Sequence, residues 1–236
     1  MEVSNSDTLI RIHDTVKSGG SGCEWMAEDK FDEDMDTITL RVSGGMNSLQ
    51  LQSLLRVSNK LKEMHRRGLV KINHSVMEGV VASYLIRKGF DVDVEHPLGD
   101  LVCDVYAERG GALIVEIETG FVPPEHALDP VRYMVARLIS KVARYSKHAE
   151  RFMLATPVDN FAQLHPALIK RPQERTHQEL LDMKSVCDEY YHNPPVSWEE
   201  LANARLHGIF IVNVDQATVT ELEPEKYYGL VSLMPK

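Results

Sequence analysis

Three carboxylate side chains interrupt two apolar segments of the sequence, residues 101–107 and 112–119. They belong to Asp104, Glu116 and Glu118. Turn-forming residues separate the segments, which predicts a β-hairpin. A three-residue loop at 109–111 would pair Asp104 directly with Glu116. It would also place the three carboxylates on one face, with cross-strand neighbours roughly 5 Å apart.

Carboxylates this close repel one another unless a cation or bound protons offset their charge. Mg²⁺ prefers one or two carboxylates together with water and phosphate oxygens, which such a hairpin could supply. Two alternatives remain open from the residues alone. The acids could form the solvated face of an exposed hairpin, or a two-residue turn could shift the register by one and weaken the alignment.

The elements that must position these acids follow one another closely. A helix is predicted from Ser75 to Lys88, with Gly89 at its end, and a half-buried strand over 90–95. After the hairpin, Asp129 and Pro130 begin a long amphipathic helix, and residues 151–155 form a short apolar strand. Glu78 lies three residues after Ser75, so it is either part of a capping box or a support for the metal site.

The run MEGVVASYLIRKGFDVDVEHPLGDLVCDVYAERGGALIVEIETG resembles the core of PD-(D/E)xK nucleases, nearest to the archaeal Holliday-junction resolvases. Glu78, Asp104 and Glu116 match its motif positions. The resemblance implies an α/β restriction-endonuclease-like core over residues 75–156, with a mixed β-sheet flanked by helices. It also implies Mg²⁺ or Mn²⁺, and these ligands: Asp104, Glu116, the carbonyl of Ile117, and Glu118.

The sequence departs from this family at Glu118, where the motif has Lys. Glu118 could act as a general base or bind a second ion. Alternatively, the lysine comes from the following helix, where Lys141 is the candidate. The catalytic set expected on this basis is Asp104, Glu116, Glu118, Glu78 and Lys141.

The helix after the hairpin carries a basic stripe at positions i, i+4, i+7 and i+11. Its members are Arg137, Lys141, Arg144 and His148. Such a stripe is either a solvated face or a surface that contacts DNA phosphates beside the acids. Under the second interpretation the DNA-binding residues are Arg137, Arg144, His148 and Lys147.

Charge is distributed unevenly along the 236 residues, whose net charge is -9. Residues 1–36 hold ten Asp or Glu and three Lys or Arg, which predicts an acidic arm. Residues 37–74 are expected to form a basic helical appendage with a short strand over 37–42. Residues 157–236 are expected to be an α/β extension of the same domain as the core. We hypothesise that the arm masks the basic stripe.

Three isolated cysteines without a CxxC pair favour a reducing compartment. The N-terminus has no basic segment followed by an apolar one, and no stretch is long and apolar enough to cross a bilayer. We therefore expect a cytoplasmic protein without membrane contact.

The expected function is that of a divalent-metal-dependent nuclease that hydrolyses DNA phosphodiester bonds. Its partner would be structured or duplex DNA, and the resolvase resemblance implies a homodimer. One alternative is a catalytically inactive module of the same fold that binds nucleic acid or protein. Another is an interaction module unrelated to nucleases, in which the hairpin acids are simply solvated.

Overall fold

The computed structural model describes residues 25–70 and 72–233, which form a mixed six-stranded β-sheet with helices on both faces. The strands are β1 (Asp91–Leu98), β2 (Leu101–Glu108), β3 (Ala112–Ile117), β4 (Arg151–Pro157), β5 (Gly208–Asn213) and β6 (Thr218–Leu222). The helices are α1 (Trp25–Ser43), α2 (Ser48–Arg66), α3 (Ile72–Arg87), α4 (Pro130–Tyr145), α5 (Pro166–Ile169), α6 (His177–Asp188), α7 (Trp198–Asn203) and α8 (Pro224–Ser232).

Strands that are consecutive in sequence are neighbours in the sheet. β3, β4 and β5 run parallel, and every other neighbouring pair is antiparallel. The predicted order of helix, strand, hairpin, helix and strand is confirmed by α3, β1, β2–β3, α4 and β4. Glu108 pairs with Ala112 across residues 109–111, so the three-residue loop is also confirmed.

The two faces of the sheet bury separate apolar clusters. Helices α1, α2 and α3 cover one face, where Leu113, Val115 and Ile117 of β3 point. Helices α4, α6 and α7 cover the other face, where Ile114 of β3 and Phe152 of β4 point. Because side chains alternate along a strand, β3 contributes to both layers and lies near the centre of the molecule.

Residues 37–42 are not a strand, because they form the last part of α1. Phe31, Met35, Ile38 and Val42 are buried at helical spacing, and this pattern extends across the predicted strand. The predicted boundary at residue 36 therefore falls inside a helix that packs on α2 and α3. Residues 1–24 of the predicted acidic arm lie outside the described residues.

The basic helix α2 packs against the core, with Leu54 and Leu61 buried. Its cations pair with nearby acids: Arg56 with Asp91, Lys60 with Asp93, Lys62 with Asp36, and Arg66 with Asp32. Asp32 and Asp36 thus pair with α2 and not with the basic stripe of α4. Whether residues 1–24 mask that stripe stays a hypothesis.

Strands β5 and β6, near the C-terminus, extend the same sheet beyond β4. A capping box begins α7, with the Ser197 hydroxyl accepting from the backbone N–H of Glu200. None of the helices within the described ranges combines the length and the apolarity needed to span a membrane.

Candidate functional site

Asp104 and Glu116 meet where the β2–β3 ladder ends. The last backbone pair is Val105 with Val115. One position further, the Asp104 N–H donates to Glu116 Oε1 at 3.1 Å, and the Ile117 N–H donates to Asp104 Oδ2. The two carboxylates thus accept the hydrogen bonds that backbone carbonyls would accept if the ladder continued. These bonds hold both side chains in place.

The acids are buried, so they are not the solvated face of an exposed hairpin. The side chains of Asp104, Glu116 and Glu118 are 15%, 3% and 0% exposed. Burial and the nearby Asp104 raise the pKa of Glu116 to about 8. Burial also acts to raise the pKa of Asp104, but Lys141 and His74 outweigh it and the net shift is downward.

Lys141 reaches this cluster from α4. Its Nζ lies 3.4 Å from Glu116 Oε2 and 3.7 Å from Asp104 Oδ2. It also donates a hydrogen bond to the carbonyl of Ile117. These oxygens belong to three of the four residues expected to bind the metal ion, the fourth being Glu118. Burial acts to lower the pKa of Lys141, but the carboxylates outweigh it and keep the amine protonated.

Glu118 is neutralised by Arg137, which lies one helical turn before Lys141 on α4. Arg137 Nε lies 2.9 Å from Glu118 Oε2, and the Gly120 N–H donates to the other carboxylate oxygen at 3.1 Å. Arg137 also donates to the carbonyl of Phe121 at 3.3 Å. Glu118 is therefore held in a buried ion pair.

Helix α3 lies on the other side of Asp104. His74 Nε2 lies 3.0 Å from Asp104 Oδ1 and 3.7 Å from Glu78 Oε1. Glu78 is 0% exposed. Burial, followed by the charges of Asp104, Glu95 and Glu116, raises the pKa of Glu78 well above its ordinary value.

The capping-box interpretation of Glu78 is wrong. Helix α3 begins at Ile72, so Ser75 lies within the helix and is not its N-cap. Among the described residues, no N–H or hydroxyl group donates to either carboxylate oxygen of Glu78. A side chain that caps a helix start would accept a backbone N–H there.

Sequence reasoning missed His74 and Glu95. His74 precedes Glu78 by one helical turn, so the spacing of His and Glu on a predicted helix was a usable signal. Glu95 lies on β1, and its backbone adopts φ 46°, a conformation that non-glycine residues rarely take. Nothing in the local sequence indicated this conformation.

The predicted basic stripe divides into two parts. Arg137 and Lys141 contact the acids, whereas Arg144 donates to the carbonyl of Pro194 at 2.6 Å and lies over the ring of Tyr191. Helix α4 ends at Tyr145, so Lys147 and His148 belong to a short 3₁₀ turn, Ser146–His148. Lys147 pairs with Glu200 at 3.0 Å, and His148 is exposed. The stripe is therefore not one continuous helical face.

No family model, curated protein or solved structure matches the chain. The fold and the site define its class as an α/β protein with a mixed six-stranded sheet and a buried cluster of His, Glu and Asp. Any more specific assignment depends on the chemistry of that cluster.

Proposed function

We propose that the chain is a divalent-metal-dependent nuclease that hydrolyses phosphodiester bonds in DNA. Its core, residues 75–156, would be restriction-endonuclease-like and of the PD-(D/E)xK type. The order α3, β1, β2, β3, α4, β4 supports this proposal, as does the parallel pairing of β3 with β4 after α4. These elements bring Glu78, Asp104 and Glu116 together, as the sequence resemblance implies.

One observation carries the proposal: three oxygens of the expected metal site converge on a cation. Asp104 Oδ2, Glu116 Oε2 and the Ile117 carbonyl all contact the ammonium group of Lys141. An all-oxygen set of two carboxylates and one carbonyl suits Mg²⁺ or Mn²⁺, with water and phosphate oxygens completing the coordination. The residues present therefore fit such an ion.

A divalent ion held by Asp104, Glu116 and Ile117 would polarise the scissile phosphate and favour ionisation of a nucleophilic water. For this ion to bind, the Lys141 ammonium must leave the Ile117 carbonyl, which its long flexible side chain allows. Lys141 then orients the attacking water or neutralises a phosphate oxygen. Glu118 is a weaker candidate for this role because Arg137 already engages it.

Contacts with DNA phosphates would come from the basic groups at the C-terminal end of α4 and in the turn that follows it. Lys147 and His148 are exposed, and Arg144 is half-buried. Phosphate contacts of this kind position a duplex without reading its sequence. The proposed partner is thus structured or duplex DNA, bound along the surface beyond the C-terminal end of α4.

A second candidate function is that of a catalytically inactive module of the same fold that binds DNA or protein. The position of Lys141 favours it, because an ammonium group that stays among the carboxylates would replace the metal ion. This candidate predicts binding that persists in EDTA and no hydrolysis in Mg²⁺ or Mn²⁺.

A cleavage panel distinguishes the two candidates. The full chain is incubated with a four-way junction, a flap, a nicked duplex and single-stranded DNA, in Mg²⁺, Mn²⁺ or EDTA. We expect metal-dependent cleavage of at least one substrate, and its loss in Asp104→Asn. The control Asp100→Asn changes an exposed acid in the β1–β2 turn and should cleave like the wild type. Absence of cleavage under all conditions would contradict the nuclease proposal.

A further inference from the structure

The α3 side of Asp104 carries a second group of potential ligands. Nε2 of His74, one carboxylate oxygen of Glu78 and one of Asp104 all lie within 4.8 Å of one another. For an ion bound at about 2.1 Å by nitrogen and oxygen, neighbouring ligand atoms lie about 3.0–3.4 Å apart. The observed separations of 3.0 Å and 3.7 Å between His74 and the two acids need only a small adjustment.

Glu78 supplies an independent indication of a ligand. Its side chain is completely buried, and no N–H or hydroxyl group among the described residues donates to either of its oxygens. The polar groups around it are the acids Glu95 and Asp104 and the imidazole of His74. A buried carboxylate without partners is costly, and such groups in native proteins are normally satisfied by another group, a water or an ion. The nearest basic side chain is His74, which Glu78 shares with Asp104.

Glu95 extends this group from β1. The β1–β2 ladder pairs Val94 with Val105 and His96 with Cys103, but it does not pair Glu95 with Asp104, which lie between them. At this interruption Glu95 has φ 46°. The charge of Glu95 acts, with burial, to raise the pKa of Glu78, which places the two carboxyl groups close together. The fold thus maintains an unusual backbone conformation where another acid joins the cluster.

This group is distinct from the position held by Lys141. Asp104 Oδ1 faces His74, whereas Asp104 Oδ2 faces Lys141 and accepts from the Ile117 N–H. Asp104 therefore separates two cation positions with different chemistry. The Lys141 position is lined by oxygens alone, and the α3 position includes an imidazole nitrogen.

We propose that His74, Glu78 and Asp104, with Glu95 as an additional ligand, bind a divalent transition-metal ion. Imidazole nitrogen is a ligand for ions such as Mn²⁺, Co²⁺ and Zn²⁺, whereas Mg²⁺ and Ca²⁺ take oxygen ligands. The site thus selects a transition metal over Mg²⁺. This inference does not depend on nuclease activity, because the ion would bind in the absence of DNA.

Calorimetric titration of the EDTA-treated full chain tests the proposal. Co²⁺ and Mg²⁺ are compared on the wild type, on His74→Asn and Glu78→Gln, and on Glu108→Gln as an exposed control on β2. Circular dichroism verifies that each variant is folded. We expect one Co²⁺ to bind the wild type and the control alike, at least tenfold tighter than Mg²⁺. Each ligand substitution should weaken binding by about tenfold or more.

Two further readouts separate this site from the proposed nuclease site. The absorption spectrum of bound Co²⁺ should change in His74→Asn but not in Glu116→Gln, because Glu116 lies on the Lys141 side. The proposal is overturned if Co²⁺ binds no tighter than Mg²⁺, or if His74→Asn binds Co²⁺ like the wild type. It is also overturned if Glu116→Gln abolishes Co²⁺ binding while Glu78→Gln retains it, and that result would leave the nuclease site supported.

Discussion

Replacing Lys141 by Met removes the only cation in contact with Asp104 Oδ2 and Glu116 Oε2 among the described residues. At separations of 3.7 Å and 3.4 Å, each attraction amounts to about 4.5–5 kcal/mol at an effective dielectric constant of about 20. The desolvation of the buried ammonium, several kcal/mol, offsets part of this gain. Loss of one partner from a buried ion pair therefore costs about 3–5 kcal/mol.

The variant should be compared with the wild type by urea unfolding in EDTA at pH 9. In the wild type Glu116 has a pKa of about 8, so both carboxylates are ionised there. We expect a lower urea midpoint for Lys141→Met, with an unchanged dependence of the unfolding free energy on urea. At pH 6 the loss should be smaller, because Glu116, with a pKa of about 8, is already protonated there in the wild type, and only the attraction between Lys141 and Asp104 is lost. Saturating Mg²⁺ should also reduce the loss, since binding to the folded state stabilises it.

Lys147→Met is the matched control, because Lys147 pairs with Glu200 while half of its side chain is exposed. Exposed ion pairs of this kind contribute at most about 1 kcal/mol. If Lys141→Met and Lys147→Met destabilise the protein equally in EDTA at pH 9, then Lys141 does not balance the buried carboxylates. The argument for a cation position between Asp104 and Glu116 would then fail.

Two further predictions concern stability. The half-buried ring of His207 accepts a hydrogen bond from the Phe152 N–H at 3.0 Å, and its partial burial lowers its pKa to about 4. Folding stability should therefore fall as the pH drops from about 6.5 towards 4. His207→Asn keeps an acceptor but cannot titrate, and its urea midpoint should decline less over this range; parallel pH profiles would exclude the explanation. Gly120 has φ 80°, and an added Cβ would lie 2.7 Å from the Asn160 amide, whereas Gly110 has φ 70° and open space. Gly120→Ala should therefore cost more than the roughly 1–2 kcal/mol of backbone strain expected for Gly110→Ala, and equal losses in thermal unfolding would contradict this.

The features predictable from sequence were those fixed by short-range patterns. The loop at 109–111 sets the register of β2 and β3, so the meeting of Asp104 and Glu116 followed from local chain geometry. The start of α4 at Pro130 likewise followed from the residues themselves. The approach of Lys141 to the hairpin was proposed from the nuclease resemblance, as a substitute for the lysine that is missing at position 118.

The features that could not be predicted depend on contacts between distant segments. His74 reaches Asp104 only because α3 packs across β2, and the sequence between them does not specify that approach. Glu95 joins the cluster because its backbone adopts a positive φ, and the pattern of apolar residues in β1 does not indicate that conformation. The prediction of a strand at 37–42 was wrong for a related reason. Phe31 and Met35 are buried against other helices, and the helix that carries them continues through residues 37–42.

The resemblance to PD-(D/E)xK nucleases leads us to expect lysine at position 118, and Glu118 differs from lysine in charge by two units. Arg137 and Lys141 supply two positive charges from α4, one turn apart, and they contact Glu118 and the Asp104–Glu116 pair respectively. With Asp104 and Glu116 ionised, the formal charge of the cluster is therefore the same as it would be with lysine at position 118 and no cations from α4. In both cases the cluster has a net negative charge, which favours the binding of a cation. The departure at Glu118 is thus compensated within the fold, and it is not by itself an argument against metal-dependent chemistry.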